Sequence, residues 1–126
     1  MSRSIVLSAM VSALALATGS MARAEHWQDF GANHRMSVRI DLDALKIDGP
    51  VISYTVELTY PNDPRHTGRR DISTAEIDCS TGMRRHLTIA TQGTDGTMTS
   101  RPGDGQWRKI IPAGTPEDIR QRYCPQ

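Results

Sequence analysis

The stretch that decides the fold is DISTAEIDC, residues 71–79, which is typical of a β-strand that ends at Cys79. Ala75, Ile77 and Cys79 alternate with polar residues, and this period of two indicates a strand with one buried face. The chain has one other cysteine, Cys124, close to its C-terminus. A disulfide between the two cysteines would join the last element of the chain to this middle strand.

The N-terminus predicts export. Arg3 precedes an apolar run over residues 5–17, and residues 22–24 (ARA) form a small-x-small cleavage site. These features predict a signal peptide over residues 1–24, cut between Ala24 and Glu25. A retained anchor helix is the alternative, but the run is shorter than the roughly 20 residues that span a bilayer. No cysteine stands at the cleavage site for lipid attachment, so we expect a periplasmic or secreted protein.

Export makes a disulfide between the two cysteines the expected state, because two cysteines in an exported chain usually pair. Cys79 and Cys124 are 45 positions apart, and closing that loop would stabilise the fold by about 4 kcal/mol. Two free thiols, or pairing between chains, remain as alternatives. The spacing lacks the CxxC and paired histidines of a zinc site.

Residues 25–126 are expected to form a single domain. Of 15 basic and 14 acidic residues, removal of the signal peptide takes away only Arg3 and Arg23, which leaves 13 and 14. This balance argues against a nucleic-acid partner. The mature chain has no second apolar run, so no transmembrane segment is predicted in it.

Alternating apolar and polar side chains recur along the mature chain, and Asp-Gly pairs between the segments indicate tight turns. A first strand or an extended arm is expected near residues 25–33. Besides residues 71–79, the predicted strands are 36–42, 51–60, 83–91, 97–100 and 107–111. In the strand at 83–91, we expect Leu87 and Ile89 to point inward and Arg84 and His86 to point outward.

One helix is predicted, over residues 116–123. Thr115 is a good N-cap and Pro116 suits the first helical position. So short a helix is not stable alone, so it must be docked, with Cys79–Cys124 as its tether. The predicted fold class is α+β, mostly β: an antiparallel meander sheet of about six strands with one C-terminal helix docked on it by a disulfide.

A basic cluster is the first candidate site. If the loop over residues 61–70 folds near the strand at 83–91, its guanidinium groups would converge and could grip carboxylate, sulfate or phosphate. The alternative is a solvated loop and strand neutralised by nearby aspartates. The candidate residues for an anionic partner are Arg65, His66, Arg69, Arg70, Arg84 and Arg85.

Catalytic and metal-binding patterns are weak. The histidines are not spaced as metal ligands, and no metal or cofactor is predicted. No nucleophile motif or phosphate-binding glycine loop is present. His86 and Glu76 could form an acid–base pair across neighbouring strands. Trp27, Trp107 and Tyr123 are expected to meet where the helix packs on the sheet.

The order of several short motifs resembles the surface-adhesin protein E family of Gram-negative bacteria. These motifs are Trp27, residues 40–45 (IDLDAL), Asp78-Cys79, residues 107–115 (WRKIIPAGT) and Tyr123-Cys124. The resemblance covers nearly all of the mature chain. It implies an antiparallel sheet of about six strands, a C-terminal helix tethered by the disulfide, and binding to host extracellular proteins.

Together these observations predict an exported, non-enzymatic binding domain whose partner is a protein or an anionic glycan. One alternative is a small periplasmic hydrolase or ribonuclease that uses His86 and a carboxylate. The other is a structural protein of the cell envelope. The oligomeric state is not predicted.

Overall fold

The computed structural model describes residues 26–32 and 35–125. The predicted signal peptide, residues 1–24, lies outside the described residues, as does His34. The described part of the chain forms eight strands and one helix. In chain order they are β1 (Trp27–Ala32), β2 (Ser37–Asp41), β3 (Lys46–Asp48), β4 (Val51–Thr59), β5 (Arg70–Asp78), β6 (Met83–Gln92), β7 (Met98–Pro102), β8 (Arg108–Lys109) and α1 (Thr115–Tyr123).

The strands form one antiparallel sheet in the order β1-β2-β4-β5-β6-β7, a meander in which β3 pairs with β4 and β8 pairs with β6. β4 and β5 lie at the centre and pair along their whole length, from Val51 opposite Asp78 to Thr59 opposite Arg70. The predicted fold class is confirmed, because six strands make the main path and the helix follows them.

The sheet has one buried face. Ile40, Ile52 and Ile77, from three neighbouring strands, are fully buried in one cluster with Ile119 of α1. Burying a side chain of this size stabilises the fold by roughly 1.5–3 kcal/mol. We call the face that carries these isoleucines the helix face, and the opposite face the open face.

The helix is held to the sheet by a disulfide. Cys79 follows β5, Cys124 follows α1, and their sulfur atoms are bonded, which confirms the predicted pairing. The helix begins one residue earlier than predicted, because Gly114 rather than Thr115 is the N-cap and no side chain caps the helix. Nowhere in the described residues does a helix reach the length and hydropathy needed to cross a membrane.

A bulge in β6 changes the side on which its residues lie. Thr74 pairs with Thr88 but Ala75 pairs with His86, so Leu87 is an extra residue between them. Residues opposite each other in a ladder share a face, so the bulge turns His86 toward the helix face.

Arg84, opposite Ile77, lies on the same face. The prediction that Arg84 and His86 point outward is therefore wrong. The prediction for Ile89 is confirmed, since Ile89 lies beyond the bulge and opposite Ser73, which is buried on the helix face.

Candidate functional site

A groove lies on the helix face beside the N-terminus of α1. Its central part has a volume of about 340 Å³. Toward β7 it continues into a depression of about 310 Å³ that shares His86, Ile89 and Arg101 with it. Toward β1 it continues into a depression of about 260 Å³ that shares Met36 and Thr115. We call these three parts together the helix-face groove. The central part is lined by Met36, Tyr54, Val56, Leu58, Arg69, Asp71, Ser73, His86, Ile89, Arg101, Thr115 and Pro116.

The strand ladders explain the composition of the floor. Val56 lies opposite Ser73, Ser73 opposite Ile89, and Ile89 opposite Arg101. These four residues form a row across β4, β5, β6 and β7. The row is apolar at β4 and cationic at β7, so the lining of the groove changes from apolar to positively charged along its length.

Positive charge predominates in the central and β7 parts of the groove. Four arginines and two aspartates line these parts, a net charge of +2 with histidine neutral. They are Arg69, Arg84, Arg101 and Arg108, with Asp71 and Asp104. Arg108 binds Asp104 at 2.6 Å. Arg84 and Arg101 have no salt bridge to any carboxylate among the described residues, so both can accept an external anion.

A short hydrogen-bonded chain links Arg84 to the floor. Nη1 of Arg84 lies within hydrogen-bond distance of Nε2 of His86, and Nδ1 of His86 lies 3.2 Å from Oγ of Ser73. A guanidinium group only donates, so Nε2 accepts and the imidazole proton sits on Nδ1, which donates to Ser73. The hydroxyl proton of Ser73, a residue only 8% exposed, is therefore left to donate to a ligand.

The environment keeps His86 neutral. Burial lowers the pKa of His86 below its ordinary value of 6.5, and the charge of Arg84 lowers it further, while Asp104 acts in the opposite direction. The neutral imidazole is the form that the hydrogen-bonded chain requires.

Asp71 is the buried carboxylate of the groove, and its charge is already satisfied. Tyr60 Oη donates to it at 2.8 Å and Arg69 Nε at 3.1 Å. Burial raises the pKa of Asp71, but hydrogen bonds from Tyr60, Arg69 and Thr91 outweigh burial and hold this pKa below its usual value. Asp71 therefore stays ionised, with Arg69 as its counter-ion.

The predicted basic cluster does not converge in one place. Of its six residues, Arg69 and Arg84 line the helix-face groove. Arg65 is 83% exposed in the β4–β5 loop, and His66 beside it binds Asp63 at 2.9 Å. The remaining two, Arg70 and Arg85, lie on the open face, because residues of a strand alternate between faces.

The open face carries two arginine–glutamate–tryptophan groups. Arg39 and Arg70 both bind Glu57, which is 2% exposed, and lie 5.5 and 5.9 Å from the centroid of the Trp27 ring. The second group is Arg85, Glu76 and Trp107, with the Arg85 guanidinium 4.5 Å from the Trp107 centroid and 2.6 Å from Glu76.

Two predictions are wrong because Glu76, Trp27 and Trp107 lie on the open face. Glu76 faces away from His86 and accepts hydrogen bonds from Arg85 and Ser53, so the proposed acid–base pair does not exist. Trp27 and Trp107 lie on the open face rather than at the helix contact. Tyr123 does pack at that contact, where its ring stacks on Phe30 with 6.4 Å between the ring centroids.

The sequence reasoning missed Ser73 and Arg101 as site residues. A polar serine at an inward position between Asp71 and Ala75 was a usable indication, since buried hydroxyl groups need partners. Arg101 gave no such indication, because its role depends on β7 pairing with β6. Among the described residues, no three His, Cys, Asp or Glu side chains are grouped so as to hold a metal ion.

Comparison of this chain with models of protein families, with curated proteins and with solved structures found no match. The resemblance to the protein E family therefore stays a prediction. The fold and the groove define a small, mostly β, disulfide-linked domain with a cationic, apolar-floored cleft.

Proposed function

We propose that this chain is an exported, non-enzymatic binding domain, and that an anionic group of its partner enters the helix-face groove. The observation that carries the proposal is the pair of arginines, Arg84 and Arg101, that line the groove without a carboxylate partner among the described residues. Guanidinium groups bind carboxylate, sulfate and phosphate through paired hydrogen bonds.

The hydrogen-bond directions favour binding over catalysis. To activate Ser73 as a nucleophile, His86 would have to accept the hydroxyl proton. Here Nε2 accepts from Arg84, so Nδ1 carries the proton and donates to Ser73. The same arrangement suits a binding site, because it presents the Ser73 hydroxyl as a donor to an anion.

The proposal locates the domain in the periplasm or outside the cell, since the predicted signal peptide supports export. The resemblance to the protein E family supports a partner that is a protein. An anionic glycan is the second partner class that an arginine pair would suit.

The test is a titration of the ¹⁵N-labelled mature domain with sodium sulfate at constant ionic strength. We expect the side-chain Nε–H signals of Arg84 and Arg101 to shift together with the backbone amide of Ser73. The double variant Arg84→Gln/Arg101→Gln should lose this response, whereas Arg65→Gln, at a solvent-exposed site, should keep it. No response, or an equal response at Arg65, would overturn the proposal.

A further inference from the structure

We propose that the ligand of the helix-face groove is an anionic amphiphile, with one carboxylate or phosphate head group on an unbranched apolar chain. This inference rests on the proposed function and names the ligand class of the same site. The head group would lie at Arg84 and Arg101, and the chain would run across the sheet toward β2.

The shape of the groove suits a long, narrow ligand. Its three parts join through shared lining residues, so they make one elongated trench rather than a round pocket. Its lining residues run from β1 to β7, and the part from β2 to β7 alone spans four inter-strand spacings, or about 19 Å. Its central volume of about 340 Å³ is in the range of small-molecule sites.

The floor and sides of the trench carry aliphatic side chains. Val56, Leu58 and Ile89 supply aliphatic surface, and Met36 and Pro116 close the sides. Such a surface suits an alkyl chain better than a sugar, because sugars require many hydrogen-bonding partners along their length.

Tyr54 indicates that water is largely excluded from the floor of the trench. It is 3% exposed, and burial raises the pKa of its hydroxyl to about 12. The β4 side of the trench is therefore apolar, whereas its polar lining residues Asp71, Ser73 and His86 come from β5 and β6.

Charge is distributed unevenly along the trench. Arg84, Arg101 and Arg108 stand at the β7 end, whereas the far depression contains Asp118 and no arginine among its lining residues within the described chain. An anionic head is attracted to one end only. Its tail would then lie beyond Ser73, on Val56 and Leu58 of β4.

The neighbouring edge strand argues against an extended peptide as the occupant. Gly103 donates its backbone N–H to Leu87 of β6 at 2.9 Å. Because the ladder alternates, the preceding residue, Pro102, faces away from β6, and it has no N–H for an added strand. Strand addition at β7 is therefore disfavoured, and a peptide becomes an outcome to be excluded by experiment.

The test uses the mature domain with its disulfide intact and isothermal titration calorimetry below the micelle concentration of each probe. The probes are laurate, lauroyl lysophosphatidate, dodecanol, acetate and a short acidic peptide. We expect one molecule of laurate or lysophosphatidate per domain, bound at least about tenfold more tightly than dodecanol or acetate, which is what one well-placed charge contact provides. The probe that binds more tightly tells whether the source is a free fatty acid or a lipid head group.

Variants distinguish the contacts of the ligand's head group from those of its apolar tail. Arg84→Gln/Arg101→Gln should weaken laurate about tenfold and leave dodecanol unchanged, and Ile89→Gln should weaken laurate and dodecanol alike. Arg65→Gln is the matched control and should change neither.

The proposed function and this inference fail in different ways. If laurate and lysophosphatidate bind no more tightly than acetate while sulfate still shifts Arg84 and Arg101, the amphiphile is wrong and the proposed function stands. Both are wrong if dodecanol binds as tightly as laurate and the double arginine variant changes neither the affinity for laurate nor the response to sulfate. Tighter binding of an acidic peptide than of laurate would also overturn the amphiphile.

Discussion

At the scale of single residues, Glu57 shows how a polar sheet face is stabilised. Its carboxylate is 2% exposed and receives hydrogen bonds from Arg39 and Arg70, which are themselves partly solvated. The two arginines also cover the ring of Trp27. Removing a buried carboxylate held by two charged donors costs more than removing one from an exposed ion pair, because it leaves both donors without their partner.

We expect Glu57→Gln to lower the free energy of unfolding by about 1–3 kcal/mol, because the amide oxygen can accept from only one arginine and the amide nitrogen, a donor, cannot bond the other. Urea denaturation followed by circular dichroism measures this change. The control is Glu117→Gln, which removes a carboxylate that binds Arg120 on the helix surface and should have a smaller effect. Equal losses in the two variants would contradict the argument.

His86 makes stability depend on pH. Burial and Arg84 hold its pKa in the folded protein below the ordinary value of 6.5. As the pH falls through 6.5, the unfolded chain takes up a proton at His86 before the folded protein does, so protonation favours unfolding. The stability lost lies between pH 6.5 and the lower folded pKa, and none is lost above that window.

The variant His86→Asn should remove this part of the pH dependence while its amide still donates to Ser73. Thermal melts of both proteins between pH 7.5 and 5 measure it, and the melting temperature of the native chain should fall more steeply. His66→Asn is the control, since its ring binds Asp63 and does not line the groove. An equal slope in the native chain and His86→Asn would show that His86 titrates normally.

At the scale of elements, the bulge in β6 and the loop after β7 position the cationic end of the groove. Gly103 packs so closely on this bulge that a Cβ atom there would lie 2.3 Å from the carbonyl oxygen of His86. Gly103 and Gly105 also donate their backbone N–H groups to Leu87 and His86. The loop therefore fixes the backbone of His86, and with it the hydrogen-bonded chain to Ser73.

We expect Gly103→Ala to push this loop off β6 and to lower the free energy of unfolding by about 1–3 kcal/mol, the usual cost of a steric clash in a packed site. Amide chemical shifts of residues 84–87 should move with it. Gly31→Ala is the control, because a Cβ at Gly31 meets nothing within 4 Å. If Gly103→Ala is as mild as this control, the close packing does not position His86.

The same bulge marks where sequence reasoning stops. Alternation in β5 predicted correctly that Ala75 and Ile77 are buried, because β4 and β5 pair without a break in register. It gave no sign that Glu57, on the open face of β4, is buried as well. In β6 the alternation of apolar residues continued through Leu87, but one extra residue reversed the faces before it. A bulge depends on pairing with the neighbouring strand, so Arg84 and His86 could not be placed from the sequence of β6 alone.

At the scale of the whole molecule, the features that could be predicted were those that short stretches of the sequence encode. The signs of export, two cysteines and regular alternation sufficed for the disulfide and the sheet. The groove could not be foreseen in this way, because Ser73, His86 and Arg101 come from three strands that meet only through the ladders. Four of the six residues of the predicted basic cluster lie outside the groove, and Arg69 and Arg70 show one cause, since they are adjacent in sequence but serve opposite faces.

The disulfide connects the fold to the groove, because α1 supplies Thr115 and Pro116 as one wall. A helix of nine residues is not stable alone, and it is held by Ile119 and by Cys124. Removing the bond restores the entropy of a loop of 45 residues to the unfolded chain, so Cys79→Ser/Cys124→Ser should lose about 4 kcal/mol of stability. Urea denaturation measures the loss.

Loss of the disulfide should disrupt the groove while the sheet stays folded. In the double serine variant at low temperature, we expect amide hydrogens of α1 to exchange rapidly while those of β4 and β5 stay protected, because the sheet keeps its central ladder. Sulfate should then no longer shift Arg84 and Arg101 together, since one wall of the groove is lost. The control is the native chain under reducing conditions, which should behave as the variant does. A variant whose helix amides stay protected and whose arginines still respond would show that Ile119 alone docks the helix, and that the strand ending at Cys79 does not organise the site.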